Sequence, residues 1–158
     1  MILSTILFIL MVTVFVAYVA YIWIKYDIQK SISESYYVLQ DNNDKSWFFV
    51  AFTWLFAFPA MILGSSYLMT LAAGGIVLVG AAAAMHKFPT RFWHMFGAIG
   101  GMVLGVIAMI IQFHMWYLAV AVAVLVGLSL ILDRKHAMWW SELIIFTAIT
   151  IALGSKIF

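Results

Sequence analysis

Glu142 is the residue that most needs a reason for its position. It stands about one turn inside an apolar run, 138–157, whose only other charge is Lys156. A carboxylate facing lipid is costly, so an acid inside a membrane span normally faces the bundle interior or water. His94 sits less than one turn into a second apolar run, 92–111, and is the expected partner. His136 precedes the run that holds Glu142, and Asp133 lies three residues before it, so the two share a helical face. His86 ends a third run, and Glu34 lies in the longest polar stretch of the chain. These six residues form the candidate polar cluster. His114 is expected on the opposite side of the membrane.

Two kinds of chemistry fit a buried His and carboxylate. The first is structural, a hydrogen-bonded pair that fixes the 92–111 helix against the 138–157 helix. The second is metal binding. Zn²⁺ takes imidazole nitrogen and carboxylate oxygen in tetrahedral geometry, and His94, Glu142 and His136 are the ligands this reading requires. A catalytic zinc would keep one position for water and lower its pKa. The short HExxH motif is absent, and there is no cysteine for a thiolate site. No cofactor is therefore expected, zinc being the rival expectation, and no residue is assigned as catalytic. No Asp, Glu, Lys or Arg lies near the midpoint of any apolar run, which disfavours a proton pump or an ion-coupled carrier. No P-loop is present, and Gly64-Ser65-Ser66 is not a nucleophile elbow.

The elements that must position these groups follow from composition. The chain has 158 residues, 67% hydrophobic and 9% charged, where soluble domains are roughly 45–50% apolar and 25% charged. That balance excludes disorder, nucleic-acid binding and a secreted disulfide scaffold, and leaves an integral membrane protein. The run 2–24 carries no charge and is far longer than a signal-peptide core, so it is expected to remain as a membrane helix. Residues 47–85 are also uncharged. As one helix they would reach about 58 Å, near twice what a bilayer needs, so the run folds back, at Gly64-Ser65-Ser66. Residues 92–132 fold back by the same argument, at Gln112-Phe113-His114.

The expected fold is all-α. It is a polytopic bundle of six membrane helices at 2–24, 47–63, 67–85, 92–111, 115–132 and 138–157, in a single domain. Ser31-Ile32-Ser33-Glu34 reads as a capping box, with the Ser31 hydroxyl capping and Glu34 reaching back to the Ser31 amide. It predicts a short interfacial helix over 32–39, with Ile32, Tyr36 and Leu39 on one face. Asp41-Asn42-Asn43-Asp44 then forms a turn.

Seven of the eight basic residues (Lys25, Lys30, Lys45, Lys87, Arg91, Arg134 and Lys135) fall in three loops on one side of this topology. Basic loops favour the cytoplasm, so both termini are expected outside, in the periplasm of an inner-membrane protein. Trp23, Trp47, Trp93, Trp139 and Trp140 gather at the predicted cytoplasmic interface, and Trp116 and Tyr67 at the outer one.

Small residues mark helix contacts. Gly97, Gly101 and Gly105 make one stripe, Ala119, Ala123 and Gly127 another, and Gly80 and Ala84 extend the pattern. Tight packing inside the bundle is expected, with contact between copies in a homo-oligomer as the alternative. Pro59 removes a backbone hydrogen bond within 47–63 and should kink that helix.

The segments 31–39 (SISESYYVL), 56–64 (FAFPAMILG), 80–84 (GAAAA) and 139–146 (WWSELIIF) resemble a group of small uncharacterised polytopic proteins of Bacteroidetes and their phages. That resemblance implies the architecture and no activity. The scatter of membrane His, Ser and acidic residues is also similar to the ceramidase–adiponectin-receptor superfamily of zinc hydrolases. The second resemblance implies a zinc role for His86, His94 or His136. The chain departs from that pattern with six expected helices rather than seven, no HxxxH pair in its last helix and no aspartate in its third. The functional expectation is a non-enzymatic protein that binds a lipid or a partner within the bilayer. Its rivals are a zinc-dependent lipid hydrolase at the cytoplasmic leaflet and a facilitator of a neutral solute.

Overall fold

The computed structural model describes residues 2–85 and 90–158. Within them the chain is all-α, a polytopic membrane-spanning bundle. The helices are α1 (Ile2–Tyr26), α2 (Ser35–Asp41), α3 (Trp47–Gly64), α4 (Tyr67–Ala84), α5 (Thr90–Ile111), α6 (Trp116–Leu132) and α7 (Ala137–Gly154). Helices α1, α3, α4, α5 and α7 are long and apolar enough to cross a bilayer. Helix α6 is apolar but has 17 residues.

Both expected hairpins form, each on a left-handed residue. Helix α3 ends at Gly64, Ser65 takes φ 44°, and the Ser66 hydroxyl caps α4 by accepting the Met69 N–H. His114, at φ 56°, turns the chain between α5 and α6. The Ser66 hydroxyl also donates to the Gln112 side-chain oxygen, so the two turns meet at one end of the bundle. Lys156 sits over the Phe113 ring at the same end, 4.3 Å from its centroid.

The bundle closes through aromatic rings in one half and glycines in the other. Tyr18 of α1 stacks on Phe52 of α3 with centroids 4.4 Å apart, and Phe146 of α7 meets Phe56 edge to face at 4.9 Å. Such pairs contribute roughly 0.5–1.5 kcal/mol beyond their packing area. Across α4 and α5 the backbones themselves touch. A Cβ at Gly97 would stand 2.7 Å from the Gly75 carbonyl oxygen, and one at Gly101 would stand 2.9 Å from that of Ala72. Gly105 faces Ile149 of α7 instead.

Several expected boundaries and faces need correction. The short helix starts at Ser35 and ends at Asp41 rather than covering 32–39, because residues 32–34 form a turn first. Half of the capping box forms: the Ser31 hydroxyl accepts the Glu34 N–H at 2.9 Å. The Glu34 carboxylate turns to Lys30, 3.9 Å away, instead of the Ser31 amide. Ile32, Tyr36 and Leu39 are buried together as expected.

In α6 the Ala119, Ala123 and Gly127 stripe is not a packing face. Ala123 is exposed, and a Cβ at Gly127 would meet nothing within 4 Å among the described residues. The face turned inward carries Ala119, Val122 and Ser129. A four-residue step drifts off a contact line that also needs three-residue steps. In α4, Gly80 packs against Thr53 of α3, Ala84 is exposed, and α5 is met by Ala72, Gly75 and Val79. Pro59 is buried within an otherwise continuous α3. Trp139, expected at the interface, is fully buried.

Candidate functional site

The polar groups assemble at the end of the bundle opposite the two hairpin turns. The start of α7 holds the chain that follows α1. The backbone N–H of Trp139 donates to the Lys30 carbonyl oxygen at 3.0 Å. One turn further on, Glu142 accepts two hydrogen bonds from Ser33, at 3.0 Å from its N–H and at 2.8 Å from its hydroxyl. Only 4% of Glu142 is exposed, so both oxygens need these donors.

The same loop is tied to α1 in two further places. Ser35 is bonded to the Tyr18 hydroxyl at 2.6 Å. Asp44 collects Tyr21 and Tyr26 hydroxyls at 2.6 Å and the Lys25 ammonium at 2.5 Å. Lys25, with the two tyrosines, holds the Asp44 carboxyl well below the usual carboxylate range.

Between this loop, α5 and α7 lies a cavity of about 700 Å³. Its polar lining is Lys30, Ser31, Ser33, Glu34, Tyr37, Arg91, His94 and Glu142. Its apolar lining is Met95, Ala98, Ile99, Met102 and Met138. Met95, Ile99 and Met138 are each about half exposed, so the cavity continues onto the outer surface of the helices. A narrower void of about 30 Å³ shares Ser33, Ala98, Met102 and Glu142 with it and runs inward among Phe49, Phe52 and Phe146.

His94 and Glu142 thus line one cavity without being bonded partners. Glu142 is taken by Ser33, while the buried Nδ1 of His94 has no hydrogen-bond partner among the described residues. The pair was expected at hydrogen-bonding or one-water distance; no direct bond joins the two, because the loop residue Ser33 takes the acid. Tyr37 lies beside the His94 ring, 6.4 Å between centroids.

Asp133 and His136 do share a face, but they form a separate knot at the α6–α7 junction. His136 Nδ1 lies 3.0 Å from each Asp133 oxygen, and Trp140 Nε1 donates to the same carboxylate at 3.0 Å. The Trp140 and His136 bonds lower the Asp133 pKa. His86 lies outside the described residues. Among the described residues no group of three His, Cys, Asp or Glu side chains is placed to hold a metal ion. The set His94, Glu142 and His136 is therefore split between two places. Ser33, Lys30, Arg91 and Tyr37 enter the site without having been expected there. Ser33 was legible only as part of a local cap, and its bond spans 109 residues of sequence. Compared with protein-family models, with curated proteins and with solved structures, the chain finds no match.

Proposed function

We propose that this small polytopic membrane protein binds an amphiphilic lipid in the cavity between α5 and α7, beneath the loop that follows α1. The observation that carries this reading is the mixed polar and apolar wall of the cavity. Lys30, Glu34, Arg91 and His94 face it together with methionines and aliphatic residues, and along α5 the apolar lining of Met95, Ala98, Ile99 and Met102 lies deeper than Arg91 and continues to the exposed helix surface. A volume of about 700 Å³ falls within the range of about 300–1,000 Å³ usual for small-molecule sites. Methionine suits such a wall, because its unbranched side chain adapts to chains of different shape.

In this reading α6 is the sixth span and α2 lies at the membrane interface. The end that carries the cavity is cytoplasmic, since seven of the eight basic residues belong to loops on that side. Binding alone is assigned, with no bond-breaking step.

Photo-crosslinking in vesicles with a diazirine-bearing phospholipid tests the reading. Labels should concentrate on Met95, Ile99, Met102 and Met138, and be sparse on Leu125 and Leu128 of α6, which are also exposed. Labelling proportional to exposure across all helices would refute a dedicated site.

A further inference from the structure

The charges around the cavity point to the class of head group, an inference that rests on the lipid-binding reading above. The groups facing it are Lys30, Glu34, Arg91, Glu142 and His94. Most are already matched. Lys30 and Glu34 lie 3.9 Å apart, and both Glu142 oxygens are bonded to Ser33. Two groups remain. Among the described residues no carboxylate lies within ion-pair distance of Arg91, and the buried Nδ1 of His94 makes no hydrogen bond.

Arg91 and His94 are three apart on α5, so they lie on neighbouring turns of one face. Arg91 is at the second residue of the helix, and Met95, Ala98 and Met102 continue the lining deeper along it. A ligand that satisfies both groups therefore presents an anionic acceptor at the mouth and apolar chains below.

We propose that the cavity selects a phospholipid with a net negative head group, its phosphate held by Arg91 and a further polar atom of the head group meeting His94. A guanidinium binds phosphate in a forked, two-bond geometry that an ammonium lacks. The lining carries as many carboxylates, Glu34 and Glu142, as fixed cations, Lys30 and Arg91. The selectivity therefore rests on Arg91 as the one lining cation without an ion-pair partner among the described residues, close to the interface where anionic head groups are recognised. Lys30, already near Glu34, adds charge and no specific geometry.

Native mass spectrometry of the detergent-purified protein tests this with phosphatidylglycerol, phosphatidylcholine and diacylglycerol. Phosphatidylglycerol should bind most tightly. Arg91→Gln should weaken it about tenfold, in keeping with the loss of a charge-assisted pair, and leave diacylglycerol unchanged. Lys30→Gln should have a smaller effect. Ala98→Phe, which narrows the apolar part, should weaken all three lipids. Met138→Trp does the same from an exposed position, in case the first variant fails to fold.

Equal binding of the three lipids, abolished by Ala98→Phe or Met138→Trp, would overturn head-group selection and leave the groove standing. Binding indifferent to both groove variants would overturn the groove itself. Displacement of phosphatidylglycerol by millimolar glycerol 3-phosphate would show that Arg91 serves a soluble phosphate, and would overturn the lipid assignment.

Discussion

Glu142 accepts twice from Ser33, once from its hydroxyl and once from its backbone N–H. Removing the acid leaves a partly buried N–H without an acceptor, which typically costs about 1–3 kcal/mol. Glu142→Ala should therefore lower the melting temperature in detergent, and Ser33→Ala should lower it less, because the backbone bond survives. The double variant should cost less than the sum of the two. His94→Ala shares no bond with Glu142, so its coupling to Glu142→Ala should be the smaller. Equal coupling to His94 and Ser33 would mean that the acid is not a latch on the loop. The sequence marked Glu142 as inward-facing because burial is the cheap solution for an acid in lipid. It did not mark the partner, since any donor of suitable reach and depth satisfies a carboxylate equally well.

Helices α4 and α5 meet with carbonyl oxygens against glycine Cα atoms, and backbone cannot step aside as a side chain can. A Cβ at Gly75 would stand 2.7 Å from the Gly97 carbonyl oxygen, and one at Gly97 the same distance from that of Gly75. Gly75→Ala and Gly97→Ala should each destabilise the bundle, by about 1–3 kcal/mol as overpacking typically does. Among the described residues, Gly100 and Gly127 have nothing within 4 Å of a Cβ. There Ala should be neutral or stabilising, up to about 0.5–1 kcal/mol, as helix propensity dictates. Thermal unfolding of the four variants in one detergent checks the contrast. A uniform response would show that the stripe on α5 faces lipid. The Gly97, Gly101 and Gly105 stripe was legible because its small residues repeat every four positions. Gly75 was not, since it stands beside Gly74 in a helix of many small residues, and only a docked neighbour distinguishes them.

The whole bundle has two unlike ends. One gathers the turns at Ser65 and His114 with Lys156; the other gathers the loop after α1 with the start of α7. With no native cysteine, single cysteines at Asn43, Ser65 and Lys135 report sidedness without background. In intact cells an impermeant maleimide should label Ser65→Cys and spare the other two. Labelling of all three, or the reverse pattern, would sink the proposed orientation.

Membrane character and the approximate positions of the long helices followed from the sequence alone, whereas the bounds of the short helix α2 did not. Uncharged runs too long for one crossing have to fold back, and hydrocarbon leaves helices as the only way to satisfy their backbone groups. The hairpin turns were equally legible, because Gly64-Ser65-Ser66 and Gln112-Phe113-His114 interrupt those runs where a crossing is complete. Tertiary structure decided what lies across from what. It put Ser33 rather than His94 on Glu142, Gly75 opposite Gly97, and Asp133 with Trp140 apart from the cavity. Helix periodicity gives the direction of a side chain within about one turn. Which loop or helix fills the space it faces depends on the packing of all the others, and that packing brings residues 33 and 142 together across 109 positions.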